Sequence, residues 1–424
     1  MRRQRFSTRQ VVVLISGVLL LSYVCLVAAQ IDQQQAVPDF AAFYSMARAI
    51  GAGGLAASHH MYSVQFQVAA EAFLGHGGHG PGMAYVEPFV ALPPAAWVVI
   101  PFTVLPLWPA FYLWDAVCLL LCLVGTIWLA RQERLGADAI PLALAIVASY
   151  PTYMSLGEGQ YDLLWPLCLA LFTSAWWCSS AWGRWPRTAA ASLLLAFKPD
   201  LLLLMVVPAV AAWRRPAVRA AVVCLVALAA ATVAVVGIPG MLQLPRIESY
   251  TLFSRFPPTL DETVLGFFWR LTGHGILTQA LAWASIGLAL LGLSWAWWRN
   301  PPKTARDWKL ALTSSVCLSL LVAPHSLNHD LMLLAGPAVW TAAALRGSGR
   351  DLRWLAFWMI LFNAVILVDA SPRVTLPVPL VPIVLLAATV AAWRARRTLA
   401  PAPSLARTSG PGPEARDPVS PASS

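Results

Sequence analysis

Residues 1–31 read MRRQRFSTRQVVVLISGVLLLSYVCLVAAQI: Arg2, Arg3, Arg5 and Arg9, then an uncharged apolar run from Val11 to Ile31. About 20 such residues, rising about 1.5 Å each in a helix, match the roughly 30 Å hydrocarbon core of a bilayer. With no water in that core, only a helix satisfies its own backbone there. The arginines place the N-terminus in the cytoplasm by the positive-inside rule. Val27-Ala28-Ala29 resembles a signal-peptidase site, but the run is long for a signal peptide and more membrane follows, so a retained anchor is expected.

The rest of the chain repeats this pattern. Of 424 residues, 59% are hydrophobic and 11% charged, too few charges to cover a soluble protein of this length. The expected fold class is an all-α polytopic membrane protein with about twelve transmembrane helices. Twenty tryptophans gather near span ends, among them Trp108, Trp182, Trp185, Trp213, Trp297, Trp298, Trp308 and Trp393, as an interfacial belt does. The net charge of +10 is not a nucleic-acid signal, because Arg131/Arg134, Arg184/Arg187, Arg214/Arg215/Arg219 and Arg299/Lys303/Arg306 sit in short loops on the cytoplasmic side. Seven scattered cysteines without a CxxC pair read as core residues.

The expected organisation is a cytoplasmic N-terminus (1–10), a transmembrane catalytic domain (11–397) with large outer loops at 32–88 and 238–275, and a Pro/Ser/Gly-rich, disordered cytoplasmic tail (398–424). Residues 89–107 carry Pro93, Pro94, Pro101 and Pro106 and predict a broken or re-entrant segment. A hairpin of half-helices is expected to meet at Lys198-Pro199-Asp200. Within the first outer loop, amphipathic patterns near 39–50 and 62–74 predict helices lying along the membrane surface.

This topology gathers an unusual set of polar residues on the outer side: Asp39; Glu158-Gly159-Gln160-Tyr161-Asp162; Lys198 and Asp200; Arg246, Glu248 and Arg255; and His325, Asn328, His329 and Asp330. Ionisable groups at membrane depth are costly and line cavities or pair with one another. A carboxylate such as Asp39 takes a proton from a hydroxyl nucleophile. Lys198, Arg246 and Arg255 supply positive charge for a phosphate. Gln160, Asp162, His325, Asn328, His329 and Asp330 offer hydrogen bonds to sugar or acceptor hydroxyls. An acid-base group, a phosphate clamp and a polyhydroxyl cradle suit glycosyl transfer from a lipid phosphate.

Plainer readings stand beside these. Asp39 is also a favoured N-cap for the helix that follows. Lys198 is long enough to snorkel to the headgroups. Gln160 and Asp162 can end and cap a span. His325 and His329, at i and i+4 with Asp330, suggest a metal site, but no third or fourth ligand is evident nearby. No cofactor is therefore expected, and no metal. A transporter or flippase for a lipid-linked or anionic substrate is the alternative from another class, with broken helices and buried ionisable groups of its own.

An ordered series of short motifs carries a resemblance: Asp39-Phe40 with Tyr44 and Gly51; Met61-Tyr62; Glu87-Pro88-Phe89 to Pro93-Pro94; Gly159-Gln160; Lys198-Pro199; and the cluster His325–Asp330. Together they make most of residues 10–395 resemble the polyprenyl-phosphate-mannose-dependent α-mannosyltransferases of glycosyltransferase family 87, in the GT-C superfamily. The match is looser at Asp162, where the family often has Asn, and at His325–Asp330. The resemblance implies a GT-C-type fold in the bacterial inner membrane, with both termini cytoplasmic and the active site outside. It implies Asp39 as catalytic base and Lys198 facing the lipid phosphate. The partners it implies are a polyprenyl-phosphate sugar donor, a glycan or glycolipid acceptor and membrane lipid, with no nucleic acid.

Overall fold

The computed structural model describes residues 7–32, 39–71, 89–195, 197–198, 212, 215–247, 263–273, 275–299, 301–302, 304–323 and 328–345. The expected spans beyond 345, the tail, much of both outer loops and the second arm of the Lys198 hairpin lie outside these residues. Every described element is a helix. In chain order they are α1 (Thr8–Asp32), α2 (Phe40–Ser58), α3 (Val64–Glu71), α4 (Pro93–Val99), α5 (Leu107–Gln132), α6 (Ala139–Val147), α7 (Tyr150–Glu158), α8 (Trp165–Trp176), α9 (Ala181–Leu195), α10 (Pro216–Met241), α11 (Val264–Thr272), α12 (Ile276–Arg299), α13 (Ala305–Val322) and α14 (Ala335–Leu345). Short 3-10 turns at Ile100–Val104, Tyr161–Leu164 and Asn328–Leu334 join some of them.

Among the described residues four helices are long and apolar enough to cross a membrane: α1, α5, α10 and α12. A fifth crossing is made if α6 and α7 form one span, bent by 55°. The bend has a local cause. Ser149 is extended, and Pro151 in the first turn of α7 has no N–H to continue the ladder of α6. The expected total of about twelve is thus neither reached nor tested by these residues.

The exposed faces are apolar, the reverse of a soluble protein. Leu14, Val18 and Leu21 of α1, Val223 and Val226 of α10, and Leu288 and Leu291 of α12 all stand outward. Apolar surface on this scale needs a bilayer to cover it. Inside, α5 packs against α6, α8 and α14. The tightest crossing is at Gly125, where a Cβ would lie 2.3 Å from the Leu167 backbone nitrogen, so only glycine lets α5 and α8 meet.

The two ends of the bundle differ in chemistry. At one end Arg9 pairs with Asp138 at 2.6 Å, and Lys309 pairs with Glu133. Trp308, next to Lys309 in the chain, packs at a tilt on Trp176 and Trp297 with ring centroids 5.0 and 5.5 Å away, and Arg215 lies over Trp177. This is the basic, tryptophan-lined end that the loop charges predict. The helices that start here deliver their far ends to the opposite face.

Two expectations are refined there. Residues 89–107 form α4 and a 3-10 turn, together roughly 20 Å long at the usual rises, too short to cross. And α2 is packed into the protein over its first half: Phe40 to Ala47 are all buried, and exposed positions begin only at Arg48. Its aromatic residues account for the difference, since Phe40 packs on Phe111 and Trp114 of α5, and Phe43 on Phe89.

Candidate active site

The site is organised by the five residues Glu158-Gly159-Gln160-Tyr161-Asp162, at the end of α7 opposite the basic end. Helix α7 stops because Gly159 adopts the left-handed conformation, φ 68° and ψ 33°. A Cβ at Gly159 would lie 2.5 Å from Phe40 Cβ and 2.8 Å from the Phe111 ring. Trp114 Nε1 donates to the Gly159 carbonyl at 2.9 Å. Phe40 therefore seats directly on this turn and carries its neighbour Asp39 with it.

Asp39 does not cap α2: its side chain makes no capping hydrogen bond. Gln160 Nε2 donates to Asp39 Oδ2 instead. The carboxylate is half-buried, and the Gln160 amide fixes the direction in which that oxygen points.

The next two residues of the stretch build a second group. Tyr161 packs on Phe43 and on Phe197, and its hydroxyl donates to the Phe197 carbonyl at 3.1 Å. That places Lys198. Its ammonium does not snorkel outward; Nζ donates to both Asp330 oxygens at 2.7 Å, and the side chain is 16% exposed. Asp330 and His329 are carried by the Asn328–Leu334 turn. His329 Nδ1 faces Glu158 Oε2 at 2.8 Å, and its Nε2 lies 3.8 Å from Asp162 Oδ2 and 3.9 Å from Asp330 Oδ1. Trp165 Nε1 donates to Asp162 Oδ1 at 2.7 Å.

His329, Asp162 and Asp330 are buried, in 3-10 turns outside the helices long enough to cross. Burial opposes charge on the His329 ring, but the carboxylates of Asp330, Glu158 and Asp162 outweigh it and push its pKa up to about 9. Burial, and after it the charge of Asp330, raises the pKa of Asp162. The group sets the carboxylates of Glu158, Asp162 and Asp330 around the His329 ring, beside the Lys198 ammonium.

Of the residues singled out in the sequence, the structure joins Asp39 to Gln160, and Lys198 to Asp330, with Asp162 and His329 alongside. Both groups hang from residues 158–162. Arg246 is exposed, and among the described residues it has no hydrogen bond or ion pair with either group. Arg255 and His325 lie outside the described residues, as does the side chain of Asn328. Two participants carry no role in the sequence reading. Glu158 was visible as an outer-side acid, but nothing local pairs it with His329. Nothing in the sequence singles out Trp165.

Gly159→Ala is expected to lower both the unfolding midpoint and turnover, because the backbone conformation costs about 1–3 kcal/mol and the new methyl pushes on Phe40. Gly54→Ala is the control, since Gly54 also has positive φ (59°) but nothing within 4 Å of a Cβ. It is expected to lose stability alone, by detergent-micelle unfolding and turnover measured side by side.

No curated protein and no solved structure matches the chain. The family model of glycosyltransferase family 87, a family of GT-C type, matches residues 89–324. That stretch contains the 158–162 turn and Lys198, while Asp39, His329 and Asp330 flank it. It spans more than half of a helical, lipid-facing chain, and on that ground the protein is a membrane glycosyltransferase that belongs to glycosyltransferase family 87.

Proposed function

We propose that the protein transfers a hexose, mannose in the first instance, from a polyprenyl-phosphate donor to an envelope glycan or glycolipid at the outer face of a bacterial inner membrane. The observation that carries this reading is the 158–162 turn, which holds Asp39 through Gln160 and seats Lys198 through Tyr161 and Phe197. One short turn thus indexes a proton acceptor against a cation. A single displacement needs that pairing. The acceptor oxygen attacks the anomeric carbon as its proton passes to Asp39. The bond from that carbon to the phosphate oxygen breaks, and the electron pair leaves with the lipid phosphate, whose charge Lys198 balances. Attack opposite the leaving group inverts the anomeric centre. Gln160 acts here by aiming Asp39, a positioning role in place of the sugar contact expected from sequence.

The basic, tryptophan-lined end then faces the cytoplasm and both termini lie there. The test is transfer by the purified chain in micelles, with polyprenyl-phosphate mannose against a nucleotide-linked mannose and a panel of glycan and glycolipid acceptors. Product from the lipid donor alone is expected. Product from the nucleotide donor alone, or lipid-linked sugar crossing proteoliposomes without transfer, would overturn the reading, the latter in favour of a flippase.

A further inference from the structure

We propose that His329, Asp162 and Asp330 form a binding site for one divalent first-row metal ion, of the Mn2+ or Zn2+ kind, beside Lys198. The three side chains each offer one ligand atom, these atoms lie within 4.8 Å of one another, and all three residues are buried. His329 Nε2 stands 3.8 Å from Asp162 Oδ2 and 3.9 Å from Asp330 Oδ1. Ions with bonds of about 2.0–2.2 Å hold neighbouring ligands roughly 3–3.5 Å apart, so closing on one draws each carboxylate toward the ring by about half an ångström and also brings the two carboxylates, within 4.8 Å of each other, closer together.

Three further features point at a ligand in that space. The first is Asp162. Trp165 takes its Oδ1, which turns Oδ2 toward the His329 ring, and Oδ2 is buried with no hydrogen-bond partner among the described residues. A buried carboxylate oxygen left in that state is costly, and metal coordination is one of the few ways to satisfy it. The second is Glu158. Its Oε2 stands 2.8 Å from His329 Nδ1, near enough to hold a proton there, out of line for a well-formed hydrogen bond, and a proton on Nδ1 leaves Nε2 as the donor atom. A carboxylate behind a histidine, on the side away from the ion, is the usual outer support of metal-binding imidazoles. The third is charge: the carboxylates of Glu158, Asp162 and Asp330 converge on His329 beside the Lys198 ammonium, and buried carboxylates are paired or coordinate metals.

Lys198 does not block the site. Each Asp330 oxygen has two lone pairs, so Oδ1 can accept from the ammonium and still bind an ion. One imidazole with two carboxylates is a mixed set that suits Mn2+ or Zn2+ better than Mg2+ or Ca2+, which favour oxygen alone. The sequence lacked a third ligand for His329 and Asp330 because it was sought nearby in the chain; Asp162 supplies it from across the fold. The ion's use rests on the function proposed above. Placed beside Lys198, it would give its open positions to the phosphate oxygens of the donor, adding a second positive charge where the leaving group's charge develops.

Binding itself is testable without turnover. The full chain, purified in micelles and stripped with a chelator, is titrated with MnCl2 and ZnCl2, with uptake read by calorimetry, by Mn2+ spin resonance and by metal analysis after gel filtration. The expected result is about one ion per chain in the wild type, with Glu158→Gln binding about 10- to 100-fold more weakly. Asp162→Asn, which keeps the Trp165 contact, is expected to lose stoichiometric uptake while eluting as the wild type does. No stoichiometric uptake by the wild type, or equal uptake by Asp162→Asn, overturns the site whatever the transfer assay gives. Uptake lost in Asp162→Asn by a protein that transfers no sugar upholds the site and counts against the proposed function alone.

Discussion

Asp39→Asn is expected to lower turnover with a polyprenyl-phosphate sugar by about 10²–10⁴-fold, the usual contribution of a positioned general base. The substitution is nearly isosteric. Asparagine keeps an oxygen in place but does not take up a proton at neutral pH. Its contact with Gln160 should survive, because Gln160 can turn its own amide to offer oxygen to the new NH2. Asp39 also makes no capping bond that the change would remove from α2. Loss is therefore expected in kcat, with the donor KM and the unfolding midpoint close to wild type. Gln160→Ala offers a graded comparison. It leaves the base in place and frees its aim, so a smaller loss in kcat, on the order of 10-fold, is expected. Turnover of Asp39→Asn within a few-fold of wild type would remove Asp39 from the chemistry.

How much of this was legible in the sequence differs from element to element, and the reason is range. The long helices were readable because bilayer thickness is a local constraint. The run at 11–31 and the run behind Leu107–Gln132 each satisfy it within their own residues. The break at 89–107 was readable for the same reason, since proline limits act on neighbouring residues. Asp39, Gln160, Lys198 and Asp330 stood out because ionisable and amide groups are rare in so apolar a chain. What they touch was not readable. Gln160 is 121 residues from Asp39, and Lys198 is 132 from Asp330. The capping role open to Asp39 failed because tertiary contact competed with a local bond and won. The burial of the first half of α2 was hidden in the same way. Small residues such as Ala41, Ala42 and Ala47 read as weakly apolar, yet they are what lets Phe40 and Phe43 be drawn inward. Glu158 carries no role in the sequence because its partner, His329, lies in a turn far along the chain.

The ion pair of Lys198 and Asp330 sets the second large effect. Asp330→Ala is expected to destabilise the protein by about 3–5 kcal/mol, the range for removing one partner of a buried pair. Asp330 is fully buried and gives both oxygens to Lys198, so its loss removes the main counter-charge of a mostly buried ammonium. The unfolding midpoint in micelles should fall accordingly. A paired replacement separates architecture from chemistry. In Lys198→Met combined with Asp330→Leu, both charges leave together, and apolar side chains of similar length fill the space. Buried pairs replaced in this way are often near neutral for stability, because the cost of dehydrating two ions goes with them. The double variant is therefore expected to recover most of the lost midpoint while transferring no sugar, since nothing at that position balances a leaving phosphate. A double variant that recovers both stability and turnover would reduce the pair to a structural strut. One that recovers neither would mean that the packing around Phe197 and Tyr161, rather than the charges, holds this end of the bundle together.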